Sequence, residues 1–169
     1  MCLRFGSGKP QLDGFTDSDM SADVDTSWST SGYVMTYAGG AVSWQSRLQK
    51  TVALSTTEAE YMAAAEAGKD ILWMKDFIGE LGIWEDEYRL YCDSQSAIHL
   101  VKNAAYHSRT KHIQRRYHRI RERVEDREFA LTKIHTVENG SDMLTKVLTP
   151  NKLDACRKRI GLTRHPMLE

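Results

Sequence analysis

Residues 41–81, AVSWQSRLQKTVALSTTEAEYMAAAEAGKDILWMKDFIGEL, change character partway along. Up to Leu54 the stretch reads as a strand. At Ser55-Thr56-Thr57-Glu58 a Ser/Thr run followed by an acid signals a helix start. Ala-rich sequence carries that helix to about Leu81, where Gly82 can cap it. Tyr61, Ala65, Gly68 and Leu72 recur at helical spacing and face a core. Upstream, residues 12–17 (LDGFTD) read as a strand ending at Asp17, and residues 30–37 form a hairpin with 41–54 around Gly39-Gly40. Downstream, residues 88–92 (YRLYC) read as a buried strand ending at Asp93, and 94–102 as a short helix. A longer helix from about 109 to 127 places Ile113, Tyr117, Ile120 and Val124 on one stripe, and 129–136 (FALTKIHT) reads as a last strand. Asn139-Gly140-Ser141 opens a helix containing Asp142, and Pro150 begins a terminal one. Three hairpin-linked strands joined to later strands by helical crossovers predict an α/β protein. Its sheet is five-stranded and mixed, the first three strands antiparallel and the later ones parallel, with helices on both faces.

Composition sets the class. The chain has 169 residues, 41% of them apolar, which suits one ordinary globular domain rather than a disordered segment. We expect a lead-in at residues 1–11, one domain at 12–162 and a tail at 163–169. No apolar run approaches the roughly 20 residues needed to cross a bilayer. The opening MCLRFGSGKP lacks the apolar stretch of a secretory signal, so no membrane partner is expected. Three cysteines (Cys2, Cys92, Cys156) are too few and odd in number for a disulfide framework, and no CxxC pair suggests zinc. The expectation is an intracellular, cytoplasmic protein, with the nucleus as the alternative compartment. Lys+Arg and Asp+Glu balance at 23 each, yet residues 1–100 are acidic and 101–169 basic. Such a division can collect cations on one surface and phosphates on another, or simply neutralise itself between two faces.

Four acids occupy informative places. Asp17 and Asp93 end strands, Glu60 lies one turn into the first helix, and Asp142 lies near the start of a late one. Sites in such sheets gather at the carboxyl ends of strands. Oxygen-only donors select hard cations such as Mg²⁺ or Mn²⁺. Two such ions roughly 3.5–4 Å apart can activate water against a phosphodiester. Glu58 competes with Glu60, because residues two apart on a helix point about 200° apart. Asp19 competes with Asp17 more weakly, lying past the expected strand end.

The segments GFTDSDMSADVDTSWSTSGYV, GGAVSWQSRLQKTVALSTTEAEYMAAAEAGK, YCDSQSAIHLVKN, YHSRTKHIQRRYHRIRERV and IHTVENGSDMLTKVLTPNKL together resemble the RNase H domain of copia-type retrotransposon Pol polyproteins, those of plants above all. The resemblance covers about residues 3–162. It implies an RNase H-like fold and a set of four metal ligands, which fall on Asp17, Glu60, Asp93 and Asp142. It implies two Mg²⁺ ions per site (Mn²⁺ as substitute) and hydrolysis of the RNA strand of an RNA–DNA hybrid. It also implies a reverse transcriptase segment as partner in the parent polyprotein. Ser94 and Gln95 resemble the pair that touches the minor groove in this fold. Related integrases carry a Glu on the late helix, where this chain has Asp142. The chain departs from many cellular relatives in carrying Thr132 where they have a mobile His. His135, seven residues before Asp142, is the remaining auxiliary candidate.

Arg115, Arg116, Arg119, Arg121 and Arg123 lie off the apolar stripe of the 109–127 helix, with Arg109 and Lys111 at its start. Such a face can track phosphates, or it can be a solvated face paired with Glu122, Glu125 and Asp126. The competing function is a catalytically weak or retired module of the same fold that binds nucleic acid or protein.

Overall fold

The computed structural model describes residues 1–6, 8–20, 27–103 and 115–163. Among these residues seven strands and four α-helices follow in the order β1 (Cys2–Leu3), β2 (Leu12–Asp19), β3 (Thr30–Tyr37), β4 (Gly40–Leu48), α1 (Thr56–Glu80), β5 (Arg89–Cys92), α2 (Gln95–Lys102), α3 (Arg115–Glu125), β6 (Ala130–Lys133), α4 (Pro150–Arg159) and β7 (Leu162–Thr163). The main sheet has the order β4-β3-β2-β5-β6. Strands β2, β3 and β4 pair antiparallel, and β5 and β6 add on in parallel. This is the mixed five-stranded sheet expected from sequence.

Side-chain alternation divides the core between the two faces. Leu12, Tyr33, Met35, Leu90, Cys92 and Leu131 pack under α1, α2 and α3 through Tyr61, Ile71, Ala97, Leu100, Val101 and Ile120. Phe15, Val34, Ala41 and Ile134 face the other way, toward Ile160 at the end of α4. Helices therefore cover both faces.

Local chemistry sets the ends of α1. The Ser55 hydroxyl accepts from the Glu58 amide at 3.1 Å, and the Glu58 carboxylate accepts from the Leu54 amide at 2.8 Å, a variant of the capping box. At the far end Gly82 takes φ +77°, while Ile83 N donates to Ile78 O at 3.0 Å and Gly82 N to Gly79 O at 2.9 Å. These two bonds form a Schellman stop, which needs a left-handed residue at that position.

Several expectations are corrected. Strand β4 stops at Leu48 rather than 54, because Gln49 turns inward and donates to Ser31 Oγ at 2.8 Å and Ala59 O at 2.9 Å. The hairpin turns on Ala38-Gly39, both at positive φ, one residue earlier than expected. Strand β2 continues two residues past Asp17, and β6 is shorter than 129–136. The expected start of α3 near 109 lies outside the described residues. The helix expected to open at Asn139 does so, but as a short 3₁₀ helix, Gly140–Leu144, with Asn139 as its cap and Asp142 in its first turn; another 3₁₀ turn precedes it at Thr136–Glu138. Asn139 is fully buried between those turns in an extended conformation. Its Oδ1 accepts from Ser141 N at 3.2 Å and Ser141 Oγ at 2.7 Å, and its Nδ2 donates to Thr16 O at 3.0 Å. Those bonds cap the turn and tie it to β2. Finally, residues 2–3 pair antiparallel with 162–163, so segments near both ends of the chain form a small ribbon.

Candidate active site

Each acid arrives on a different element. Asp17 lies in β2, opposite Gly32 of β3. A Cβ on Gly32 would meet Thr145 Cγ2 at 2.7 Å and Leu144 Cβ at 2.9 Å, so glycine there lets the 140–144 turn lie against the sheet. That turn delivers Asp142. Asp93 follows the last residue of β5, and Glu60 lies in the first turns of α1. Glu58 is occupied in the cap, which leaves Glu60 as the helix acid that turns toward β2; Ser18 N donates to Glu60 Oε1 at 3.2 Å.

Asp17, Asp93 and Asp142 each offer an oxygen, all within 4.8 Å of one another, and Glu60, Cys92 and Asp93 form a second such group. Asp93 joins the two, so the structure brings together all four acids expected from sequence. Asp17 and Asp142 are fully buried. Such density of carboxylate is costly in the absence of a cation. Burial first, then the charges of Asp17 and Asp93, push Glu60 up to about 8. Burial also raises Asp17 to about 7, with Asp142 adding to the rise while the Thr145 hydroxyl and Lys146 oppose it.

The donor chemistry fits a hard cation. Glu60 Oε2 is buried without a hydrogen-bond partner, and the three Asp offer only oxygen. Burial, followed by the Glu60 charge, pushes the Cys92 thiol up to about 12. That thiol stays protonated and accepts from Ser94 N at 3.4 Å, so it does not add sulfur to the donor set.

Sequence reasoning missed the cations of the site. Lys146 Nζ lies 3.2 Å from Asp17 and 3.5 Å from Asp142 Oδ1, and Lys152 Nζ ion-pairs with Asp142 Oδ2. The Thr145 hydroxyl donates to Asp17 Oδ2. Burial works against the Lys146 ammonium, but Asp17 and Asp142 outweigh it and raise its pKa. The signal available in sequence was spacing: Lys146 falls four residues after Asp142, in the quoted DMLTK stretch.

The other candidates divide. Ser94 is half-buried and caps α2, its hydroxyl accepting from Ala97 N at 3.2 Å, and Gln95 beside it is exposed. Both follow Asp93 directly. His135 is exposed and caps a 3₁₀ turn, its Nδ1 accepting from Val137 N at 3.3 Å; it belongs to neither acidic group. Arg109 and Lys111 lie outside the described residues, as do the side chains of Arg115 and Arg116. Arg119 is exposed and, with Lys69 and Arg123, lines a cleft of about 270 Å³ floored by Leu72, Ile120 and Phe129. Arg123 also ion-pairs with Glu128. Arg121 departs from the expected phosphate-facing row. It is buried, its Nε donating to Val101 O at 3.1 Å and its Nη2 to Leu100 O at 2.8 Å. It thus satisfies the free carbonyls at the end of α2.

No protein-family model matches the chain. In sequence it is 56% identical over 161 residues to the retrovirus-related Pol polyprotein from transposon TNT 1-94 of Nicotiana tabacum, covering 95% of this chain and 12% of that polyprotein. In structure it is similar to LC11-RNase H1, isolated from compost by a metagenomic approach. The TM-score is 0.60 at 18% identity, covering 80% of this chain and 93% of the other. It is also similar to LC11-RNase H1 in complex with an RNA/DNA hybrid, with a TM-score of 0.56 at 16% identity, covering 80% of this chain and 94% of that one.

Proposed function

The chain is related to retrovirus-related Pol polyproteins of plant transposons and has the RNase H fold, and from that we propose that it is a metal-dependent endonuclease cutting the RNA strand of RNA–DNA hybrids. The observation that carries this reading is the convergence of Asp17, Asp93 and Asp142 within 4.8 Å, with Glu60 joined to them through Asp93. The four acids would hold two Mg²⁺ or Mn²⁺ ions. When bound, such ions supply Lewis-acid charge to the phosphodiester and lower the pKa of water.

The chain's own residues do the rest. Asp17 would help hold both ions, with Glu60 and Asp93 joining it at one and Asp142 at the other. In the ion-free state Glu60 holds a proton near neutral pH, since burial and its acidic neighbours keep it up at about 8. Glu60 would have to give up that proton to serve as a cation ligand. Ser94 and Gln95, directly beyond Asp93, would touch the minor groove, where 2′-hydroxyls distinguish RNA from DNA. Arg119 on α3, with Arg109, Lys111, Arg115 and Arg116 of the same basic stretch, would hold phosphates. The hybrid-bound relative of the same fold supports the substrate class.

The nuclease unit would be residues 12–162, working with the reverse transcriptase segment of a parent polyprotein in the cytoplasm. No helix among the described residues is long and apolar enough to cross a membrane. The test is cleavage of a hybrid labelled on the RNA strand, beside RNA–RNA and DNA–DNA duplexes, with Mg²⁺ and with EDTA. We expect 5′-phosphate RNA products from the hybrid alone, and only with Mg²⁺. Tight hybrid binding with no cut product under any divalent ion would make the chain a binding module.

A further inference from the structure

Among the described residues, the acidic centre carries ion-paired ammonium groups on one side and none on the other. On the Asp17–Asp142 side, Lys146 Nζ bridges both oxygens of Asp17 at 3.2 Å and reaches Asp142 Oδ1 at 3.5 Å, while Lys152 holds Asp142 Oδ2. Two carboxylates there meet two ammonium groups. On the Glu60–Asp93 side, no ammonium is ion-paired with either carboxylate among the described residues. Lys133 comes near, but it donates to the backbone carbonyl of Asp93 rather than to the side chain. Glu60 Oε2 is left without a partner.

An ammonium that chelates one carboxylate through both oxygens and touches a second occupies the place a divalent ion would take between them. Resting on the reading of these acids as an ion-holding centre, we propose that Lys146 is a positioning residue standing in the second cation position. The centre takes its first divalent ion on the Glu60–Asp93 side and admits a second only as the Lys146 ammonium withdraws. The geometry permits that withdrawal. Lys146 sits just past the 140–144 turn, 32% exposed in its side chain, on a flexible four-carbon stem that can swing to solvent. Asp17 and Asp142, at 1% and 0%, cannot move to meet water, so their charge must be matched where they stand. Lys152, which touches Asp142 alone, is the lesser competitor.

The test needs no substrate. Metal-stripped protein is titrated with Mn²⁺, following free Mn²⁺ by its paramagnetic resonance signal and the heat by calorimetry. For the wild type we expect one tight ion and a second weaker by about tenfold or more, the scale set by a competing unit charge at contact distance. Lys146→Met and Lys146→Gln should each tighten the second ion by about tenfold, with Lys146→Arg keeping it weak and Lys152→Met moving it less. Two ions of equal affinity in the wild type, or unchanged isotherms in both Lys146→Met and Lys146→Gln, would overturn the inference. Asp93→Asn separates this from the underlying reading: it should abolish the tight ion. An unaltered isotherm in that variant would sink the ion-holding centre itself.

Discussion

Replacing Glu60 by Gln should stabilise the ion-free protein, and by an amount that depends on pH. Gln keeps an Oε1 acceptor for Ser18 N, which donates to it at 3.2 Å, and puts a neutral NH2 in place of the unpartnered Oε2. In the folded protein burial, Asp17 and Asp93 raise Glu60 from 4.5 to about 8. Between those values the folded state keeps a proton that the unfolded chain releases. The stability due to that proton is therefore complete below about pH 4.5, declines as pH rises, and is gone above about pH 8. At roughly 1.4 kcal/mol for each tenfold in proton affinity, the full cost of the charge is bounded at about 5 kcal/mol. Partial solvent contact reduces it to on the order of 2–3 kcal/mol. Urea unfolding in EDTA, followed by circular dichroism, should thus find Glu60→Gln more stable than wild type by on the order of 2–3 kcal/mol at pH 8.5, and nearly equal to it at pH 4. Saturating Mg²⁺ should reverse the order, because ligand binding stabilises only the form that binds it. A destabilised Gln variant at pH 8.5, or a difference independent of pH, would refute the idea that uncompensated charge is stored at this position.

Other expectations follow from the same geometry. Asn139→Ala leaves Thr16 O without its buried donor and frees the 140–144 turn; it should cost about 2–3 kcal/mol in denaturant unfolding and weaken Mn²⁺ binding, whereas an unchanged Mn²⁺ isotherm would mean the turn places Asp142 unaided. Arg119→Ala should lower the slope of log affinity for hybrid against log salt by about one, with little change in stability. Arg121→Met should do the opposite, destabilising by about 2–3 kcal/mol through lost bonds at the end of α2 while leaving the salt slope alone. Equal salt slopes for Arg119→Ala and wild type would remove Arg119 from the phosphate-holding set.

Much of the fold was legible because its strongest signals are local. Ser55 and Gly82 bracket α1 through bonds made within a few residues, and strand alternation fixes which side chains face α1. The four acids could be picked out because a sheet of this kind concentrates ligands toward the carboxyl ends of its strands and the starts of the helices beside them, although β2 itself runs on to Asp19. What escaped notice depends on contacts distant in sequence. Asn139 reads as a helix cap and is one, but its second bond, to Thr16 O across the domain, has no local signal in the sequence. Arg121 lies among arginines that look alike in a helical projection, and only the carbonyls ending α2 draw it inward. Lys146 and Lys152 resemble any surface lysines until the fold sets Asp17 and Asp142 beside the first and Asp142 beside the second. Spacing alone also left Glu58 and Glu60 as rivals; the Leu54 amide decides between them by occupying Glu58.

The most direct measurement of the central claim is cleavage of an RNA-labelled hybrid by the wild type and by Asp93→Asn, in Mg²⁺, with folding of both proteins checked by thermal unfolding in EDTA. Asp93 is the acid shared by both carboxylate groups. We expect the wild type to cut, and the variant to fold at least as stably without metal yet yield no product. Equal cleavage by a folded Asp93→Asn protein would contradict a nuclease built on these acids.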